Sequence, residues 1–227
     1  FSGLNLHYSN QFPKITNVEG VANFTQDDMK IMILGGDVLG SKISDTKVSI
    51  IDFKRTPTVL NIVGKSYGEA SDTLKHASRS KDFTSKVSQY LNGDSENNFD
   101  IAVPLMPTLT LKDVSIKVNS EITNLKNEYL HGFVSVVTKK ESGSNDFVTH
   151  FNLTHADLHH KAFDVKKKSG IESGLDLTVS FAQTNKISLE DISLWKQELT
   201  KNGNYDIDKI SAQAVIETKS AELSFLK

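Results

Sequence analysis

The chain has 227 residues, 26 Lys and Arg against 28 Asp and Glu, a formal net charge of −2 at pH 7, and no cysteine. That length makes one good-sized domain or two small ones, and the missing cysteine excludes thiolate catalysis, cysteine-ligated zinc and iron–sulfur clusters. A charge so evenly balanced lacks the clustered basic footprint that neutralises phosphates, so nucleic acid is not an expected partner.

No apolar run approaches the roughly 20 residues that cross a bilayer as a helix; the run at residues 31–34 has the length of a strand. The chain opens on Phe1 with no charged leader and apolar stretch behind it, and reads as a processed or excised section of a longer protein.

In chain order the dominant period is two. Leu4, Leu6 and Tyr8 alternate with polar neighbours, as do Met29, Ile31 and Ile33, then Val48 and Ile50. Gly35-Gly36-Asp37 supplies the expected turn between the last two runs; it resembles a phosphate loop only superficially, because another strand rather than a helix follows it. From residue 69 the period changes. Leu74, Ala77, Phe83, Val87, Tyr90 and Leu91 fall at helical spacings, Ser80 offers a cap and Asn92-Gly93 a left-handed stop, which predicts a short helical hairpin at about 69–92.

Strand alternation then resumes at Phe99, Ile101, Val103 and Leu105, with Pro104 and Pro107 ending that strand or placing it at an edge. It continues at Val114, Ile116 and Val118, at Phe147, Phe151 and Leu153, and at Leu175, Leu177, Val179 and Phe181. Ser142-Gly143-Ser144-Asn145, Ser169-Gly170 and Asn202-Gly203-Asn204 punctuate these runs at hairpin spacing. The predicted class is mainly β: an antiparallel sheet with one apolar and one wetted face and a single helical hairpin. A pseudo-repeat of meanders with its boundary near 142–145 is a further expectation.

Few constellations carry chemistry. His155, Asp157 and His159 would share one face of an extended strand, close to His150, His160 and Asp164, and could present three ligands to zinc or iron. A metal site normally draws on more than one segment, so a wetted strand face is the better account and no metal is expected. No nucleophile elbow and no His-Glu-x-x-His occurs, so no catalytic residue is assigned, no cofactor is expected, and the chain is not read as an enzyme. Lys166-Lys167-Lys168 is expected to be a solvated turn.

The order Leu60-Asn61-Ile62-Val63-Gly64, then Gly68-Glu69-Ala70-Ser71-Asp72-Thr73-Leu74, then Ile101-Ala102-Val103-Pro104-Leu105, resembles the AsmA-like proteins of Gram-negative bacteria, specifically the large YhdP-type members. Leu130-His131-Gly132-Phe133, Ala156-Asp157-Leu158 and Lys167-Lys168-Ser169-Gly170 extend the resemblance over about residues 57–180. It implies that residues 1–227 are one section of an extended, curved β-groove in the periplasm, anchored in the inner membrane by an upstream segment and continued by adjoining β-groove sections. Such a groove would carry phospholipid acyl chains between the inner and outer membranes. On this resemblance Ile101, Val103, Leu105, Phe147, Phe151, Leu153, Leu175, Leu177, Val179 and Phe181 are expected to line one continuous apolar surface. The competing expectations are a structural or adhesive β-sandwich whose apolar faces close on each other without a ligand, and, more remotely, a metal-dependent hydrolase around His155 and His159.

Overall fold

The fold is that of a computed structural model, which describes residues 1–7, 14–72, 92–160, 165–183, 186–199, 205–219 and 222–223, with side chains described in 1–7, 14–72, 92–159 and 166–180. The fifteen strands among them are β1 (Leu4–Leu6), β2 (Ile15–Phe24), β3 (Met29–Val38), β4 (Ser41–Ile50), β5 (Thr58–Glu69), β6 (Asp94–Leu105), β7 (Ser115–Lys126), β8 (Leu130–Lys140), β9 (Asp146–Asn152), β10 (Ala156–His160), β11 (Val165–Lys167), β12 (Glu172–Gln183), β13 (Lys186–Leu199), β14 (Tyr205–Lys219) and β15 (Glu222–Leu223). They form an antiparallel meander in the order β1 to β9, then β12 to β15, with β10 and β11 a side hairpin that joins through β8. The sheet is open, not closed into a barrel, and among the described residues every element pair in substantial contact is a hydrogen-bonded neighbour.

Helix is nearly absent from the described residues: a 3₁₀ turn at Leu111–Asp113, and a helical start at 70–72. The rest of the helical hairpin expected at 69–92 lies outside the described residues, as do the turn expected at 202–204, Tyr8, Asp164 and the Phe181 side chain.

Cross-strand register converts the alternation into rows on one face. Phe24, Met29, Ile50, Leu60 and Val103 stand opposite one another on β2 to β6; one step along, Ala22, Ile31, Val48, Ile62, Ile101 and Ile116 do the same. A third row runs Phe99, Val118, Thr138, Thr149 and Leu177, and a fourth Ile43, Ser66, Asn97, Ser120, Val136, Phe151 and Leu175. The reverse face carries Asp100, Lys117 and Lys139 in register, with Asn98 opposite Asn119. The rows make one face apolar because side chains alternate along each strand, and the reverse face is mixed, with Val21, Met32, Leu34, Val63 and Val148 exposed among its polar side chains.

From β2 to β8, inserted residues keep the rows in phase at three places. Register shifts fall between Thr16 and Glu19 on β2, Ser44 and Lys47 on β4, and Ile122 and Leu125 on β7. Each contains a residue with left-handed backbone: Asn17 at φ 53°, Asp45 at 46° and Asn124 at 55°. Asn and Asp tolerate that region better than other side chains, and a bulge turns the strand so that Ile43 and Thr46, or Ile122 and Leu125, are both buried although three residues apart.

Two corrections concern turns and strand ends. The β3–β4 reversal is not at Gly35-Gly36, which lie within β3; it is the two-residue turn Leu39-Gly40, with φ 47° and 92°, closed by the Val38–Ser41 pair. Positive φ at both central residues is what a hairpin with right-handed strand twist requires. His155 precedes β10, which begins at Ala156, so it does not share the strand alternation of Asp157 and His159.

Gly64 faces Phe99 across the β5–β6 ladder, and an added Cβ would sit 2.1 Å from Thr46 Oγ1 and 2.9 Å from the Phe99 ring. The bare backbone is what lets Phe99 lie across the face there. Gly64→Ala should therefore cost about 1–3 kcal/mol through overpacking, read as a lowered urea midpoint at unchanged slope.

Candidate functional site

The apolar rows form the candidate site. Of the expected lining residues, Ile101, Val103, Phe147, Phe151, Leu175, Leu177 and Val179 are half-buried and Leu105 is exposed, and register places all eight on the same face. Leu153 is buried in a cluster with Ile122, Leu125, Val134 and Ala156 near the side hairpin, rather than open on the face. A second cluster, Val18, Ile33 and Ile43, lies under β2 to β4. The apolar surface between them is single-layered among the described residues, so its side chains retain exposure that a sandwich would remove.

The face also contains a polar notch that period-two reasoning did not anticipate. Ser66, Asn97 and Ser120 interrupt the fourth row, flanked by Ser95 and Gly68. The Asn97 amide donates to Ser66 Oγ at 3.1 Å and Ser95 Oγ at 3.3 Å, and Ser95 Oγ donates to the Gly68 carbonyl at 3.1 Å. Asn97 is buried, and its Oδ1 has no hydrogen-bond partner. The notch therefore holds one unspent acceptor, uncommon for a buried polar group.

Two buried ammonium groups were equally illegible. Lys140, next to Ile116 in the second row, is 1 % exposed. Its Nζ donates to the carbonyls of Lys112 at 3.1 Å, Val114 at 2.5 Å and Glu141 at 3.1 Å. Lys167 departs from the solvated turn expected for residues 166–168: only Lys166 and Lys168 are exposed, while the Lys167 ammonium donates to the carbonyls of Leu153, of Ala156 at 2.6 Å and of Thr154 at 3.3 Å. Burial lowers the pKa of both below the ordinary lysine value, partly opposed by Asp113 and Glu141 at Lys140 and by Asp157 at Lys167. With three carbonyls each, both ammonium groups are fully engaged as donors and act as staples for loops rather than as ligand-binding cations.

The histidine cluster does not assemble. His155, Asp157 and His159 are all exposed, the Asp157 carboxylate accepts the Ser169 N–H at 3.0 Å, and the His155 ring tilts against Phe133 at 6.2 Å. His150 instead pairs with Asp176 at 2.6 Å across β9 and β12 on the wetted face. No group of three or more metal-ligating side chains occurs among the described residues, and no helix there is long and apolar enough to cross a membrane. No protein-family model, curated protein or solved structure matches the chain.

Replacing Lys167 with Met removes the charged donor from the Ala156 carbonyl and from those of Leu153 and Thr154, which keep the N–H groups of Ala156 and Gly170, and losing these bonds to a charged group should cost about 1–3 kcal/mol. Because burial lowers the folded-state pKa, the unfolded chain binds more protons as pH approaches the free-lysine value, and wild-type stability gains with pH there. Urea titrations should find Lys167→Met less stable at pH 7, by a margin that widens as the pH is raised to 10.

Proposed function

We propose that the chain is a lipid-binding module whose open apolar face holds acyl chains, in keeping with the AsmA-like resemblance and with a place in phospholipid transport across a periplasm. The observation that carries this reading is a set of apolar rows that overlap in register, two over β2 to β7 and two reaching β12 with Thr138, Thr149 and the polar notch among them, on a face to which no second layer is added among the described residues. Apolar burial contributes about 0.8 kcal/mol per CH₂. A chain lying across several rows would thus be held without any specific polar contact.

The sandwich alternative needs a second sheet facing these rows, and the hydrolase alternative needs converging ligands. Neither has support among the described residues.

A photo-crosslinking amino acid at Ile101 tests the proposal against one at Asp100, its neighbour on the wetted face. Phospholipid captured at Ile101 and not at Asp100 supports the reading; equal capture at both, or none at either, removes it. Val103→Asp puts a charge among apolar neighbours that offer it no partner. It should lower copurified phospholipid at least tenfold while the far-ultraviolet circular dichroism stays β-type.

A further inference from the structure

We infer that one end of the sheet is a membrane-docking rim, built from the connections at 25–28, 51–57 and 106–114, which inserts apolar side chains into the interfacial layer of a lipid bilayer. The inference deepens the lipid-binding reading, since it says where an acyl chain would pass between a bilayer and the apolar face.

The β2–β3, β4–β5 and β6–β7 connections all leave the sheet at the same end, as the pairs Phe24–Met29, Ile50–Met29 and Thr58–Leu105 require. Six large apolar side chains stand exposed there: Phe24, Ile51, Phe53, Leu105, Leu109 and Leu111, between 40 and 74 %. One exposed leucine needs no explanation, but six such residues from two connections and two strand ends at one end of the sheet mark an interaction site.

The connections are held in place while their apolar side chains remain uncovered. Phe53 N–H donates to the Asp27 carbonyl at 2.9 Å and Lys54 pairs with Asp27 at 2.6 Å, which ties the first two connections together. In the third, Asp113 accepts Thr110 N–H at 2.9 Å and its hydroxyl at 2.6 Å, while Lys140 and Gly143 N–H both donate to the Lys112 carbonyl. Asp28 pairs with Lys30 at 2.8 Å, and Asp52 accepts Lys54 N–H at 2.8 Å. The four carboxylates of the rim are therefore occupied by local partners.

The rim's chemistry fits a bilayer interface better than a rigid protein partner. Its apolar groups stand on two connections and on the ends of β2 and β6 rather than in a groove or on a flat face, with exposed Arg55 and Lys112 beside them. Long cationic side chains at the edge of an apolar patch reach headgroups while their stems lie along hydrocarbon. Phe24 and Leu105 also belong to the apolar face itself, so the greasy surface is continuous from the rows to the rim.

Vesicle flotation tests this with the full 227-residue chain and vesicles of phosphatidylcholine with 30 % phosphatidylglycerol. The wild type should float with the vesicles. The triple variant Phe53→Asp, Leu109→Asp, Leu111→Asp should bind at least tenfold more weakly, whereas Val21→Asp with Met32→Asp, equally exposed apolar positions on the reverse face, should bind like wild type. Failure of the wild type to float, or equal loss in both variants, overturns the rim. So does concentration-dependent self-association of the wild type, absent in the rim variant, without flotation; that result assigns the surface to a second copy of the chain. Crosslinking at Ile101 to a short-chain phosphatidylcholine supplied below its micellar concentration, repeated in the rim variant, keeps the two readings apart. Capture without flotation leaves the apolar face standing and removes the rim; flotation without capture does the reverse.

Discussion

Every property of the molecule depends on keeping a two-residue alternation in phase across many strands. A slip of one residue in any strand would send its whole apolar set to the wetted face. The protein meets this constraint while bending its strands, by inserting single residues at Asn17, Asp45 and Asn124, where a left-handed backbone absorbs the extra position. At Asn17 and Asn124 the side chain also bridges to the next strand, at 2.8 Å from Asp37 and 2.8 Å from Asp94. The Asn17 amide and the Lys42 ammonium together hold the Asp37 carboxyl below the usual carboxylate range, so this part of the β2–β3–β4 connection is joined by side chains as well as by the backbone ladder.

Stretches of strand clear of an insertion show the plainest alternation in the sequence. Phe99 to Leu105 and Leu175 to Val179 alternate strictly, and register confirms that they share a face. The alternation breaks in β2, β4 and β7, because Ile15 and Val18, Ile43 and Thr46, and Ile122 and Leu125 stand three apart. That spacing suits a helix in a periodicity argument and a bulged strand in the fold. The polar notch around Asn97 was hidden for another reason. Ser66, Asn97 and Ser120 are typical of wetted positions, and only their cross-strand partners show that they belong to the apolar face. Lys140 and Lys167 sit in lysine-rich stretches that are normally solvated, and nothing local in the sequence marks which ammonium will find three carbonyls.

Those lysines show how a single-layer sheet orders its ends. A sheet with no opposing layer among the described residues has little apolar packing available at its connections, so they must be held by directional polar contacts. Lys140 gathers the carbonyls of Lys112, Val114 and Glu141, joining the β6–β7 and β8–β9 connections; Lys167 gathers the turn before β10. Burying an ammonium is costly, and the three charge-assisted bonds each lysine makes offset that cost; several of the carbonyls, such as Lys112 with Gly143 and Thr154 with Gly170, accept a backbone N–H as well.

The unbranched order of the meander also has kinetic consequences. Apart from the side hairpin, each strand pairs with its sequence neighbours, so structure can spread from one hairpin to the next in the manner of a one-dimensional array. Two-residue closure at Leu39-Gly40 is inexpensive in chain entropy, whereas joining β5 to β6 must first close residues 70–93. The ladder on either side of that joint, β1 to β5 and β6 onward, can therefore assemble as two cooperative units whose meeting is the slow step, and native-state hydrogen exchange would see the β5–β6 boundary as the place where protection divides.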